Sequence, residues 1–413
     1  MGGVSALLLS TAILLMGNGL QGTLIPVRGS IEQFGSFELG LLGTGYFAGF
    51  TLGCVFGPML LERGGHIRTF MAMASVASVT ALLHAMVVEP VLWALFRALT
   101  GVCFAILYVV IESWLNEKST NEQRGTVFSV YSVINLTVMT MGQLMIGLGD
   151  PAAFSLFALA SVLVSIATLP IAFTTVSAPT PPPFVLPNIV DLYRTSPVGF
   201  AGCAAIGLSN GAFWTFGPVF AHDRGFDVAG VGLFMSVVVI GGALLQWPLG
   251  AASDRMDRRL TVIVAAVIAA SAAILMTVFP RLDDIWFMTL GCLFGAGAFP
   301  LYALVAAHTN DHAAPDEMVK VSSGLLLTFG AGAAVGPLIA GFVTNFAGSP
   351  GLFLYTASVH TALILFVFWR IRTRARTGVE ERVSFNESVI TAQTVSGVET
   401  ETVTAAHDGK KPD

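Results

Sequence analysis

The chain has 413 residues, of which 54% are hydrophobic and only 11% are charged. Soluble domains average about 25% charged residues, so this composition excludes an ordinary soluble enzyme and a secreted disulfide scaffold. The net charge of −5 leaves no basic surface for a nucleic acid. A polytopic membrane protein remains, whose expected partner is the lipid bilayer, with no nucleic acid.

Apolar runs long enough to cross a bilayer can be counted along the chain. A helix needs about 20 residues to cross about 30 Å of hydrocarbon, and these runs do not alternate apolar and polar residues as barrel strands do. The first run lacks the basic start and the cleavage site of a signal peptide, which indicates a retained span. We predict twelve transmembrane helices, at residues 4–27, 38–61, 68–88, 91–114, 123–148, 152–174, 197–220, 226–250, 259–279, 284–308, 318–346 and 350–371.

Two polar stretches divide the chain. Residues 175–196 are rich in proline, which predicts an extended linker. Residues 377–413 are polar and acidic, which predicts a disordered tail. The expected fold is an all-α polytopic membrane protein with an N-terminal six-helix bundle at residues 1–174 and a C-terminal six-helix bundle at residues 197–376.

The basic residues are distributed unevenly between the two sides of the membrane. Loops after even-numbered spans, the linker and the end of the last span carry most of the Lys and Arg residues, whereas loops after odd-numbered spans carry Arg28, Arg224 and Arg281. Because basic loops stay in the cytoplasm, we expect both termini, the linker and the tail to be cytoplasmic. The expected location is a bacterial inner membrane.

An internal repeat relates the two sets of six spans. The pair Glu62-Arg63 recurs at Asp254-Arg255 with an offset of 192 residues, and Leu107-Tyr108 recurs at Leu301-Tyr302 with an offset of 194 residues. Two duplicated halves in the same orientation predict a binding cavity at their interface.

The loop motifs resemble those of the major facilitator superfamily. Its signature G-x-x-x-D-R-x-G-R-R between spans eight and nine matches Gly250, Asp254, Arg255, Arg258 and Arg259, with Asp257 in place of the later glycine. The first copy, between spans two and three, is degraded: Pro58 stands at the glycine position and Glu62 replaces the aspartate.

Two further strings fall within spans. Arg97-Ala-Leu-Thr-Gly101 in span four is similar to the RxxxG motif of the superfamily, and "GAGAAVGPLIAG" in span eleven is similar to its antiporter motif, which belongs in span five. Within the superfamily, "LYVVIESWLNE" resembles the YcaD-like branch. The resemblance implies two bundles that rock about a central cavity.

Ionisable side chains inside the spans are the best candidates for functional residues, because each costs free energy in lipid unless it is paired with an opposite charge or hydrated. Arg97, Gly101, Tyr108 and Glu112 fall on one face of span four. Glu112 suits reversible protonation, and the alternative is a structural salt bridge, for instance to Arg124. Arg97 is suited to pairing with a charge in the cavity or to coupling with proton transfer. The alternative is that its side chain bonds to backbone carbonyls as a structural residue or extends to the lipid headgroups. About 22 Å separates Arg97 and Glu112 along the helix, so they cannot pair directly.

Other polar or aromatic residues within spans are candidates for the cavity wall, although each could equally make an interhelical hydrogen bond. The candidates for the cavity are Asn18, Gln21, Tyr108, Asn135, Asn210, Trp214, Gln246 and Tyr302. The resemblance implies a cytoplasmic gate formed by Glu62, Arg63, Asp254, Arg255 and Arg258. The alternative for these residues is surface charge that only sets the topology.

The sequence predicts a secondary active transporter for a small organic solute, driven by protons and working as a monomer. No GxxxxGK[ST], HExxH or GxSxG string occurs, so we expect neither ATP hydrolysis nor another enzymatic reaction, and no cofactor or metal site. Two alternatives stay open, namely an efflux pump for drugs or siderophore-like compounds that exchanges them for protons, and a membrane scaffold or assembly factor that transports nothing.

Overall fold

A computed structural model describes residues 2–119, 121–173, 189–279, 282–313 and 317–373. Most of the predicted linker and the whole predicted tail lie outside these ranges. The helices are α1 (Gly2–Ile31), α2 (Ser36–Gly64), α3 (His66–Met86), α4 (Pro90–Lys118), α5 (Asn121–Leu144), α6 (Phe154–Ile166), α7 (Leu169–Ala172), α8 (Ile189–Thr195), α9 (Pro197–Asp223), α10 (Val228–Arg255), α11 (Arg258–Val278), α12 (Asp284–Ala298), α13 (Leu301–Asn310), α14 (Met318–Ala347) and α15 (Gly351–Thr373).

The predicted spans coincide with these helices to within a few residues. A 3₁₀ turn, Met145–Leu148, completes the fifth span, and the sixth and tenth spans are each built from two helices in series. Pro170 is the second residue of α7 and Pro300 precedes α13, where proline removes a backbone donor and interrupts the helix. Eleven spans in the described ranges are long and apolar enough to cross a membrane.

The remaining span is α9, which is 27 residues long. It is buried along most of its length and packs against α14, α15, α2 and α1. With it, the twelve spans form two pseudo-symmetric six-helix bundles, here called the N half (α1–α7) and the C half (α9–α15). The predicted fold class is confirmed.

Buried apolar side chains form three separate clusters. One cluster lies in the N half and includes Leu14, Phe70 and Phe104. A second lies in the C half and includes Val262 and Leu304. The third contains residues of both halves, from the last part of α1 and the first part of α2 to the last part of α9 and the first part of α10. The halves therefore share an apolar core at one end of the molecule, here called the joined end, and have separate cores at the other, the parted end.

Close helix contacts repeat in the two halves with the offsets seen in the sequence. In the N half a Cβ atom on Gly49 would overlap the Ala98 carbonyl oxygen, and in the C half a Cβ atom on Gly241 would overlap the Cys292 carbonyl oxygen. Gly241 lies 192 positions after Gly49, and Cys292 lies 194 positions after Ala98. In the same way, a Cβ atom on Gly101 would overlap the Tyr46 carbonyl oxygen, and a Cβ atom on Gly295 would overlap the Val238 carbonyl oxygen. The duplicated halves thus use the same backbone-to-backbone packing.

The glycine string of span eleven is part of this packing. Gly336 of α14 packs on the Leu208 carbonyl of α9, and its equivalent in span five, Gly142, packs on the Met16 carbonyl of α1. On another face of α14, a Cβ atom on Gly40 of α2 would lie 2.7 Å from the Pro337 carbonyl oxygen. The string that is similar to the antiporter motif therefore lets α14 approach both α9 and the N half.

Candidate functional site

Arg97 lies within the N half, on the interior face of α4. Its guanidinium carbon lies 4.1 Å from the centroid of the Tyr46 ring of α2, a distance typical of a cation–π contact. A side-chain hydrogen bond joins Tyr46 to Asn18 of α1. Arg97 is 8% exposed, and its Nη1 atom has no hydrogen-bond partner among the described residues. Three helices thus bring Asn18, Tyr46 and Arg97 together.

Glu112 lies about four turns further along the same face of α4, towards the parted end. The Tyr131 hydroxyl of α5 donates a hydrogen bond of 3.3 Å to Glu112 Oε1, and both residues are buried. Cys54 of α2 lies in the neighbourhood of Glu112 and of Tyr302 of the C half. The side chain of Arg124, the alternative partner for Glu112, is outside the described residues.

Tyr108 is located between these two groups on α4. A side-chain hydrogen bond joins it to Asn135 of α5, and its ring packs edge-on to Phe50, with 6.0 Å between ring centroids. Tyr108 lies in the neighbourhood of both Tyr46 and Glu112. The interior face of α4 therefore carries an almost continuous series of polar groups.

The C half has apolar groups at the equivalent positions. Gly291 and Val238 stand where the N half has Arg97 and Tyr46, and the buried pair Ala306 and Leu325 stands where it has Glu112 and Tyr131. Tyr302 packs edge-on to Phe329, with centroids 5.3 Å apart, at the positions of Tyr108 and Asn135. Because the C half forms the same helix contacts without these polar pairs, the fold does not require them.

The other predicted cavity residues lie on helices around this interior. Gln21 is fully buried, and no described residue makes a hydrogen bond to either of its amide atoms. Asn210 of α9, the repeat equivalent of Asn18, is buried, and its Oδ1 atom has no hydrogen-bond partner within the described ranges. Trp214 stacks on Phe299, with centroids 5.6 Å apart and an interplanar angle of 4°. Gln246 is half-buried on α10, at the position equivalent to Cys54.

The predicted gate residues separate into two groups. Arg258 is buried and its Nε atom lies 2.8 Å from Asp311 Oδ2, while its Nη2 atom lies 3.4 Å from Asp254 Oδ1. This cluster ties the end of α10 and the start of α11 to the end of α13. The remaining three gate residues are exposed and make no ion pair with any described residue: Glu62, Arg63 and Arg255.

A second acid–base pair adjoins this cluster in the loop between α10 and α11. Asp257 caps the start of α11 and lies 2.9 Å from Arg259 Nη2. Burial opposes ionisation of Asp257, but hydrogen bonds from the Arg259 side chain and backbone N–H outweigh it and hold the pKa of Asp257 below its usual value. In the N half the position of Arg258 is taken by His66, whose Nε2 atom lies 2.8 Å from Ser113 Oγ.

The contacts between the halves lie towards the joined end. Ser236 of α10 donates a hydrogen bond of 3.3 Å to the Thr140 carbonyl of α5, and a Cβ atom on Gly147 would lie 3.2 Å from the Ala229 Cβ. Beyond Ser236, on the same face of α10, Ile240 and Trp247 are exposed. The space between the halves is thus closed near Arg97, and it widens towards Glu112 and the Arg258 cluster.

A family model described as Major Facilitator Superfamily matches residues 7–198 and 199–397. The chain belongs to this superfamily. A protein of Escherichia fergusonii named uncharacterized MFS-type transporter YcaD is 24% identical over 369 residues, with 89% of this chain and 95% of the relative covered. An uncharacterized MFS-type transporter of Yersinia pestis (strain Pestoides F) is 27% identical over 345 residues, with 82% and 87% covered. The predicted membership of the YcaD-like branch agrees with these relatives.

Solved transporter structures have the same fold. The nucleoside transporter NupG matches with a TM-score of 0.75 and 15% identity, covering 91% of this chain and all of that one. A bacterial homologue of the human lysosomal transporter Spinster, in an inward-facing and occupied conformation, matches with a TM-score of 0.72 and 16% identity, covering 92% of this chain and 98% of that one. The chain is a multi-pass membrane transporter.

Proposed function

We propose that this protein is a proton-coupled secondary transporter that moves a small organic solute across the bacterial inner membrane by alternating access. The observation that carries the proposal is the asymmetry between the halves. Arg97, Tyr46, Glu112 and Tyr131 face the interior of the N half, whereas the C half packs in the same way with apolar residues. Burying an ionisable group in a membrane protein costs free energy. Polar pairs that the helix packing does not require therefore indicate a function.

Glu112 is the proposed proton carrier. A carboxyl group in a low-dielectric environment can take up and release a proton where an exposed carboxylate stays ionised. Tyr131 donates its hydroxyl to Oε1, which stabilises the charged form and positions the carboxylate towards the interior. Glu112 lies towards the parted end, so solvent that enters there can exchange a proton with it.

The parted end is the proposed cytoplasmic side. The basic loops and both termini are expected there, so the structure corresponds to a state open to the cytoplasm. In the closed counterpart, Glu62 and Arg63 of the N half and Arg255 of the C half would come together. The Arg258–Asp311 pair lies wholly within the C half, so it is expected to keep that half rigid through the cycle.

The test is solute flux in proteoliposomes that contain the purified protein. A metabolite library is first screened for compounds that raise its melting temperature, since a ligand stabilises the state that binds it. A compound found this way is then supplied in radiolabelled form with an imposed pH gradient. We expect accumulation against the solute gradient, and a protonophore should abolish it.

Glu112→Gln separates coupling from binding. The variant should lose gradient-driven accumulation but keep solute exchange without a gradient, because the amide cannot release a proton. Glu117→Gln is the matched control, because Glu117 is exposed on the same helix, and it should behave as wild type. Proton-driven accumulation by Glu112→Gln at the wild-type rate would contradict the proposed role of Glu112. Absence of flux for every stabilising compound would contradict transport itself.

A further inference from the structure

Arg97 carries a positive charge that no acidic side chain balances in the described part of the chain. No carboxylate there lies within salt-bridge distance of the Arg97 guanidinium group. Its Nη1 atom is buried and has no hydrogen-bond partner among the residues that the structure describes, and the face of the Tyr46 ring lies against the charge. An uncompensated guanidinium in a membrane interior is unfavourable. This arrangement therefore suits an anion that arrives with the solute.

Open space adjoins this group on α1. A Cβ atom on Gly22 would meet no atom within 4 Å, and Gly22 lies one helical turn from Asn18, on the same face. In the C half the equivalent position holds Trp214, which by the pseudo-symmetry also faces the space between the halves. Its indole ring stacks on Phe299. A glycine opposite a large flat ring leaves room for a second flat ring.

The helices that carry the charged group and the aromatic surface share a neighbour, α2. Thr215 of α9, next to Trp214, is packed so closely on Gly43 of α2 that a Cβ atom there would lie 2.8 Å from Thr215 Cγ2. Tyr46, which carries the Arg97 contact, is one turn from Gly43. Arg97 of α4 and Trp214 of α9 are thus on two helices that both pack against α2.

We propose that the solute is a small organic anion with a planar ring, whose carboxylate binds Arg97 and whose ring stacks on Trp214. The amides of Asn18 and Asn210, at equivalent positions on α1 and α9, supply hydrogen bonds to polar substituents between these two ends. A guanidinium binds a carboxylate through two parallel hydrogen bonds, and an indole face favours a flat ring over an aliphatic chain. This inference rests on the proposed transport function and adds the class of solute.

The test is equilibrium binding to the purified full-length protein in detergent, without any gradient. The probes are phenylacetate, nicotinate and indole-3-acetate, each compared with its neutral amide, and acetate serves as the anion without a ring. We expect at least one of the three ring carboxylates to raise the melting temperature in a saturable way, its amide to have little effect, and acetate to bind more weakly. The proposal is overturned if no ring carboxylate binds, or if the amides bind equally well.

Variants assign the two ends of the site. Arg97→Met keeps an apolar contact with Tyr46 and should weaken ring-carboxylate binding about 10- to 100-fold, the value of a charge-assisted hydrogen bond. Arg97→Lys retains the charge and should recover part of the affinity. Arg68→Met, at an exposed arginine, should bind as wild type. If Arg97→Met is folded and binds with wild-type affinity, the charge has no part in recognition.

The ring preference is tested at Trp214. Trp214→Leu should bind acetate and the ring carboxylates with similar affinity, while Trp369→Leu, at a tryptophan of α15 that is 54% exposed, keeps the preference of wild type. The melting temperature of ligand-free Arg97→Met is a second readout. It should equal or exceed that of wild type, because the substitution removes an unbalanced buried charge, whereas a structural arginine would give a clear decrease.

The outcomes distinguish this inference from the transport proposal. Ring-carboxylate binding without gradient-driven flux would support the anion site and contradict transport. Proton-driven flux of a neutral or cationic solute, unaffected by Arg97→Met, would support transport and overturn the anion site.

Discussion

Replacing Gly101 with alanine tests the close packing of α2 against α4. A Cβ atom at this position would overlap the Tyr46 carbonyl oxygen and lie 2.8 Å from the Phe50 amide nitrogen. Since ordinary contacts of Cβ atoms begin at 3.4 Å, the two helices would have to separate by at least 0.6 Å. Both atoms belong to the backbone, so no side-chain rotation can relieve the overlap.

The expected cost is set by two opposing effects. Alanine is intrinsically better than glycine within a helix by about 1 kcal/mol. Overpacking a well-packed interior costs about 1–3 kcal/mol, and more where backbone must move. The overlap at Gly101 is with backbone, so we expect a net loss of stability of about 1–2 kcal/mol. The displacement of α2 would also move Tyr46 away from Arg97.

The assay is thermal unfolding in detergent, followed by the proteoliposome flux measurement. Gly57→Ala is the matched control, because its Cβ atom would face the same helix α4 at 3.5 Å from Ile106 Cγ1 and Val109 Cγ2. We expect Gly57→Ala to be as stable as wild type or slightly more stable. If Gly101→Ala unfolds at the same temperature as Gly57→Ala, the packing argument for this helix pair is refuted.

Three further predictions concern charge and motion. Arg258→Met alone should destabilise the protein by about 3–5 kcal/mol because it breaks the buried ion pair with Asp311, and adding Asp311→Leu should recover part of the loss in a double-mutant cycle of melting temperatures. Folding lowers the pKa of Asp257 below its unfolded value of about 3.8. The ionised Asp257 therefore stabilises the folded protein above that unfolded pKa, and this stabilisation is lost as the pH falls through the pKa of Asp257 in the folded protein. Asp257→Asn should therefore be less stable than wild type at pH 7, with the two melting curves converging below about pH 4; a constant difference at all pH values would contradict this. A Cβ atom at position 147 would lie 3.2 Å from the Ala229 Cβ atom, so cysteines at Gly147 and Ala229 should form a disulfide under oxidation. The disulfide should stop solute flux, and its reduction should restore the flux. Undiminished flux through the oxidised protein would contradict rocking of the halves.

The sequence predicted the helices and the duplication because both depend on local patterns. Apolar runs locate the spans, and the offsets of 192 and 194 residues correspond to equivalent helix contacts such as Gly49 with Gly241 and Gly101 with Gly295. Spacing along α4 also placed Arg97 and Glu112 on one face. These inferences need no knowledge of which helix lies opposite.

The partners of these residues could not be predicted in the same way. Tyr46 and Tyr131 lie in apolar runs, where an aromatic residue is normally read as packing, and their polar contacts depend on how α2 and α5 meet α4. Asp311 pairs with Arg258 across 53 positions of sequence. The one available signal was the repeat itself, since Asp311 belongs to the repeated segment and Arg258 to the loop motif.

The difference between the halves suggests how binding and protonation could be ordered in the proposed cycle. Arg97 lies at the joined end, where the halves share one core, and Glu112 lies towards the parted end, on the same helix and about 22 Å away. A rigid α4 moves both groups together when the N half rocks. If closing the parted end removes Glu112 from solvent while opening the joined end exposes Arg97, one rotation exchanges access to the proton site for access to the anion site. Coupling would then require no direct contact between the two groups, which agrees with the absence of any ion pair between them in the described residues.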